Sequence, residues 1–364
     1  MIIDGHQHLW YDLQEGDRIR RYFPPRQGWD VCMRWAYGGT PPFNRDPQAL
    51  FARQLGRMSD YDGKYTIESL DYHKMDATTI LPADYDATWG QPADITWEEK
   101  HTHYGELERK YPGRFLPYMN VDPRRTGALE LMKRGFEEYG KFYCLKLIPG
   151  SGFYPWDPLV YPLYEYCIDN NIPVALCIEG IGTGYRMERF NDPSGVNDLM
   201  AEFRDLRIII LHTGHPYQSW FEKCCYNAAH MNCFIEMDTW FEPFFPENAA
   251  HPNMWDNPEG LITMLAFAKK AAGCHKIIWG TDAAHGPSYT KEKDGQLHKG
   301  WAAPVKWIQA LPEKAAKLGY SFTREETEWI VGDNIARVLG VKKDPAWNIP
   351  DKFGWRYRFP SPNR

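Results

Sequence analysis

Short apolar runs rich in β-branched residues recur along the 364-residue chain, each followed by a stretch with helical spacing. The runs fall at residues 2–3, 78–81, 115–119, 144–148, 172–178, 207–211, 234–237 and 276–279. An amphipathic stretch at 66–75 leads into the second run. WEEKHTHYGELERKY, GALELMKRGFEEYG, YPLYEYCIDN, VNDLMAEFRDL, WFEKCCYNAAHM and LITMLAFAKKAAG separate the later ones, and REETEWIVGDNIARVLG follows the last. About eight strands alternating with helices in one series predict an α/β fold, a (β/α)₈ TIM barrel. An open doubly wound sheet is the competing architecture, but no Gly-rich phosphate loop follows the first run.

Residues 12–60 break the alternation. This segment holds RYFPPRQGWD and YGGTPPF, whose Gly and Pro suit loop, and it is expected to be a lid inserted over the barrel mouth. The tail, residues 341–364, reads as irregular. One barrel domain, 1–364, is expected, because such a barrel needs about 250 residues plus insertions. Apolar residues make up 43% of the chain, enough for a large core. The formal charge of −6 lacks the basic footprint of a nucleic-acid binder. No apolar run is long enough to span a membrane, and MIIDGHQHLW does not read as a signal peptide, so a cytoplasmic protein is expected. The eight cysteines include no CxxC pair and are expected to be reduced. The 15 Trp, 22 Tyr and 18 Phe suit either packing or a ring-lined cleft for a flat organic ligand.

In such barrels the chemistry sits just past the strand ends. The first strand delivers Asp4-Gly5-His6-Gln7-His8, and alternation puts His6 and His8 on one side, close enough to grip one cation. The sixth ends in Leu211-His212-Thr213-Gly214-His215, and the eighth in Trp279-Gly280-Thr281-Asp282 with His285 beyond. Barrel closure brings the eighth strand beside the first. Two His, a further His and an Asp on one rim predict a mononuclear divalent-metal site.

An HxH after strand one, His-x-Gly after strand six and GTD after strand eight resemble the amidohydrolase superfamily. More narrowly the chain is similar to the amidohydrolase-related group that includes aminocarboxymuconate-semialdehyde decarboxylase, aromatic-acid decarboxylases and ring hydrolases. YPGRFLPYMNVDPR, LKLIPGSGFYPWDPLVYPLYE and GDNIARVLG add to the likeness. The resemblance implies His6 and His8 as paired metal ligands and Asp282 as the carboxylate that binds the metal or handles the proton of its water. It implies His212 as the group that polarises the substrate or transfers a proton. The fifth strand departs from the pattern: where the group usually carries a His, this chain has Cys177 and Glu179, which share a face, so either is a candidate ligand. Trp10, Lys146, Glu179, Arg186, His215 and His285 are the expected substrate contacts, and Asp238 is placed to hold His212 in one tautomer.

One divalent ion, zinc with manganese as the alternative, would suit metal-assisted hydrolysis of a lactone, cyclic amide or ring ketone. Non-oxidative decarboxylation of an aromatic or unsaturated acid uses the same groups. A barrel that binds a small ligand without turnover is the third alternative. The expected partner is a small molecule, and relatives suggest a dimer partly covered by the aromatic tail.

Overall fold

The computed structural model describes residues 1–25, 59–180, 187–244, 258–284 and 303–342. Eight parallel strands form its centre, ordered as they occur in the chain. They are β1 Ile3–Asp4, β2 Ala77–Ile80, β3 Phe115–Asn120, β4 Cys144–Leu147, β5 Val174–Cys177, β6 Ile208–Leu211, β7 Cys233–Glu236 and β8 Ile277–Ile278. Every residue of these strands is buried, as expected of a parallel sheet covered by helices. Strand boundaries differ from the sequence reading by one or two residues. The ladder runs from Ile3↔Ala77 through Tyr118↔Cys144 and Val174↔Ile208 to Ile235↔Ile277.

The sheet curls until its ends meet. Gly5 N donates to Trp279 O at 3.1 Å, and an extension of β1 at Gln7–His8 pairs in parallel with Ala283–Ala284 beyond β8. The architecture is the (β/α)₈ barrel expected from the alternation. Closure needs the glycine: a Cβ on Gly5 would lie 2.7 Å from Trp279 O.

Local chemistry starts and stops the helices where the pattern indicates. Thr96 and Glu99 form a reciprocal capping box at the start of the helix Trp97–Lys110, as do Thr323 and Glu326 at Arg324–Glu328. Two helices read as continuous change pitch or kink part-way. Ala128–Arg134 widens to a five-residue repeat over Gly135–Tyr139, and the last helix kinks within Trp329–Asp333, where Gly332 leaves the helical conformation, before Asn334–Val338. In the second case Gly332 lies against the chain start, where a Cβ would meet Met1 O at 2.3 Å.

Of the expected lid, only its base is described: a hairpin pairing Leu13–Glu15 with Arg18–Arg20, and residues 59–60 at the return. The rest of that segment and nearly all the tail lie outside the described residues. Seven cysteines are described, all buried and none in a disulfide with another described residue. Among the described residues no helix is long and apolar enough to cross a membrane.

Candidate active site

The strand order puts the ends of β6, β7, β8 and β1 side by side on one rim. From them project His212, Glu236 and Asp238, Asp282, and His6 and His8. Alternation along β7 and its exit sends Glu236 and Asp238 to the same side. Two of the residues have left-handed backbones that side-chain-bearing residues rarely adopt: His212 at φ 64° and Asp282 at φ 48°.

Asp282 Oδ1 lies 2.9 Å from His8 Nε2 and 3.4 Å from His6 Nε2. Its other oxygen is 3.9 Å from His212 Nδ1. His8 Nδ1 donates to the carbonyl of Leu81 at 2.9 Å; a carbonyl only accepts, so in the neutral ring the proton sits on Nδ1 and Nε2 carries a lone pair. His6 Nδ1 lies 2.9 Å from Glu236 Oε2 and 2.9 Å from Asp238 Oδ2, so in the neutral ring its proton likewise faces away from Asp282. Asp238 Oδ2 is also 2.8 Å from His212 Nδ1. All these groups are buried except Asp282, whose side chain is 27% exposed and forms the mouth.

The titrations follow from burial and these neighbours. Burial and the Lys146 ammonium press His8 down to about 3, so it is neutral. Burial would also neutralise His6, but Glu236, Asp282 and Asp238 outweigh it and raise its pKa to about 10. His212 is raised in the same way, burial being overcome chiefly by Asp238. Burial opposes charge on Asp282, yet His6 and His212 hold its carboxyl well below the ordinary range. Glu236 is driven upward by burial and by Asp238.

With His8 neutral, its Nε2 and the ionised Asp282 carboxylate at 2.9 Å are two acceptors that a shared cation would bridge. His6 Nε2 is wholly buried and makes no hydrogen bond among the described residues. His6, His8 and Asp282 offer donor atoms within 4.8 Å of one another, the set a three-ligand site with an open position requires. Their outer nitrogens bonded to a carbonyl and to carboxylates match the outer contacts of metal-bound imidazoles. These residues fit one divalent ion. His6, His212 and Asp238 also cluster within 4.8 Å, but there one Asp238 oxygen faces the Nδ1 atoms of both rings at 2.8–2.9 Å, an ion-pair contact on the side of His6 turned away from Asp282.

The remaining expected residues divide. Trp10 stacks on His8 with ring centres 4.2 Å apart and planes 24° apart. Lys146 is buried at the end of β4, and its charge acts on His8. His215 is buried edge-on to Trp240, 4.9 Å between centres. Cys177 is wholly buried beside His212, and neither it nor Glu179 is in a cluster with His6 and His8. Glu179 is half-buried, its carbonyl accepting from Asn191 Nδ2 at 3.0 Å. Arg186 and His285 lie outside the described residues. The sequence reading missed Glu236 as a partner of His6; the signal was its i, i+2 spacing from Asp238, but the partner lies two strands away. It also missed Asp4, whose neighbours come from the other end of the chain.

A closed parallel barrel with a histidine-and-carboxylate cluster on its C-terminal rim defines a class of metal-using barrel enzymes. The sequence pattern of the amidohydrolase family matches residues 3–341, and the chain belongs to that family of enzymes. Family membership sets aside the non-catalytic barrel. Solved structures share the fold at low identity. A 5-carboxyvanillate decarboxylase from Novosphingobium aromaticivorans, complexed with manganese and 4-hydroxy-3-methoxy-5-nitrobenzoic acid, matches with TM-score 0.59 and 12% identity over 93% of this chain and 96% of its own. A 2,6-dihydroxybenzoate decarboxylase from Rhizobium matches with TM-score 0.55 and 15% identity over 93% and 98%. A 4-oxalomesaconate hydratase from Rhodopseudomonas palustris matches with TM-score 0.52 and 15% identity over 93% and 96%. No curated protein sequence matches the chain.

Proposed function

We propose that the protein is a metal-dependent hydrolase that opens a small cyclic or aromatic-derived substrate, a lactone, cyclic amide or ring ketone. The observation that carries this reading is the position of Asp282, with one oxygen facing the Nε2 atoms of His6 and His8 and the other facing His212. His6, His8 and Asp282 would hold a divalent ion, zinc or alternatively manganese, which would act as a Lewis acid and lower the pKa of water towards neutrality. Asp282 accepts the water proton and returns it to the leaving group. His212, held by Asp238 through Nδ1, donates to the oxygen on which charge develops. Trp10 walls the pocket against the flat face of the substrate, and Lys146 attracts an anionic substituent.

A second reading is non-oxidative decarboxylation, and the Lys146 ammonium beside His8 favours it. A buried cation there would hold a substrate carboxylate against the same groups; the bond from carbon to the carboxyl group breaks, CO₂ leaves, and carbon takes a proton that Asp282 relays from a substrate hydroxyl or water. Two of the solved structures sharing the fold are named as decarboxylases.

Turnover of a panel of lactones, cyclic amides and aromatic acids in H₂¹⁸O separates the two. One ¹⁸O entering the product supports hydrolysis. Release of CO₂ without ¹⁸O in the organic product overturns it in favour of decarboxylation.

A further inference from the structure

We propose that Asp4 and Thr281 form a clamp that sets the position of the Asp282 carboxylate against His6 and His8, which makes both of them positioning residues. The inference rests on the reading of Asp282 as the rim carboxylate that meets both imidazoles, and it assigns a role to two residues outside that cluster.

Asp282 stands at φ 48°, a conformation that persists in a residue with a side chain only where the surroundings over-determine it. The surroundings here are the carboxylate of Asp4, wholly buried at the end of β1. Its Oδ1 accepts from Thr281 N at 2.9 Å and from His6 N at 3.1 Å. Its Oδ2 accepts from the Thr281 hydroxyl at 2.6 Å, the short separation of a charge-assisted bond. That hydroxyl is also 3.1 Å from His6 O, but its single proton goes to the nearer, charged acceptor.

One carboxylate therefore holds the backbone of His6 on one side and of the residue before Asp282 on the other. The barrel seam runs between those two residues. The ladder bonds at the seam act one residue earlier, through Gly5 N and Trp279 O, and beyond it, at Gln7↔Ala283. Within that gap Asp4 and Thr281 tie the two sides together. The 3.4 Å from His6 Nε2 to Asp282 Oδ1 is thus fixed at both ends by the same side chain. A neutral amide at position 4 would take the charge out of the bond with the Thr281 hydroxyl and leave the proton of that hydroxyl to turn to His6 O, and a methyl in place of Thr281 Oγ1 would remove the shortest bond.

The test uses chelator-stripped full-length protein titrated with Zn²⁺ alone by calorimetry, with crystal structures of the same variants. Thr281→Val and Asp4→Asn are expected to weaken Zn²⁺ binding by about 10–100-fold, the usual effect of removing an outer partner, while Thr281→Ser restores it to within about threefold. In Thr281→Val crystals the Asp282 carboxylate is expected to leave its place between the imidazoles. Wild-type affinity in Thr281→Val with Asp282 unmoved, or equal losses in Thr281→Ser and Thr281→Val, overturns the clamp. Should Thr281→Val not fold, Asp4→Asn carries both readouts. Asp282→Ala that binds Zn²⁺ like wild type, while Thr281→Val still displaces the carboxylate, counts against the ion site and leaves the clamp standing.

Discussion

Asp238 Oδ2 lies 2.8 Å from His212 Nδ1, and the same oxygen lies 2.9 Å from His6 Nδ1. One buried carboxylate therefore orients both a proposed metal-binding imidazole and the imidazole proposed to polarise the substrate. Asp238→Asn keeps the shape of the side chain but removes the negative charge beside the two ring nitrogens, and its NH₂ would face either the rings or Thr239 N, which bonds Oδ1 at 2.6 Å. A fall in kcat of roughly 10²–10⁴-fold is expected, the range for losing a positioned acid or base, with a smaller change in KM. Steady-state kinetics on a confirmed substrate check this; unchanged kcat removes Asp238 from the mechanism.

His6→Ala and His8→Ala each leave two protein donors around the ion. Metal content and turnover are expected to fall together, read by elemental analysis beside an activity assay. Full activity of either variant after treatment with a chelator rules out the metal-assisted reading.

Asp282→Asn is expected to fold with a near-native melting temperature and lose turnover, because the amide cannot accept the proton of water. Near-normal kcat in this variant would take Asp282 out of proton transfer.

Gly280 is a packing constraint on the same cluster. A Cβ there would lie 2.1 Å from Glu236 Oε1 and 2.9 Å from His6 N. Gly280→Ala is expected to cost about 1–3 kcal/mol of stability, the usual range for overpacking, and to weaken Zn²⁺ binding by displacing Glu236 from His6. Urea denaturation and calorimetry measure the two effects separately.

Acid sensitivity is expected away from the site. Asp84 is buried, which opposes its charge, but Arg125 binds it at 2.6 and 2.8 Å and holds its pKa below the ordinary carboxylate value. A carboxylate lowered in the folded state contributes stability above its unfolded pKa of about 4 and loses that contribution as pH falls through the lower folded value. Asp84→Asn is expected to be less stable than wild type at pH 7, with the difference shrinking below about pH 4. Urea midpoints across that range check the sign; a constant difference contradicts it.

The parts of this fold legible in the sequence were those set by local pattern. The runs at 144–148 and 207–211 need only their own apolar residues to be strands, and Thr96 with Glu99 marks a helix start within four positions. His6, His8 and Asp282 were legible because strand ends in a barrel face one rim. What stayed hidden depends on closure. Asp4 reads as the last residue of a strand until Thr281 arrives from the other end of the chain, and Glu236 reads as a strand-end acid until β7 is seen two strands from β1. The change of pitch at Gly135–Tyr139 lies within helical spacing, which a one-residue widening hardly disturbs, and the kink at Gly332 is set by the chain start packed against it.

Crystals soaked in Zn²⁺ and measured at the zinc absorption edge test the central claim most directly. The account predicts one anomalous peak about 2.0–2.2 Å from His6 Nε2, His8 Nε2 and an Asp282 oxygen. A peak elsewhere in the molecule, with those three side chains turned apart, would contradict it.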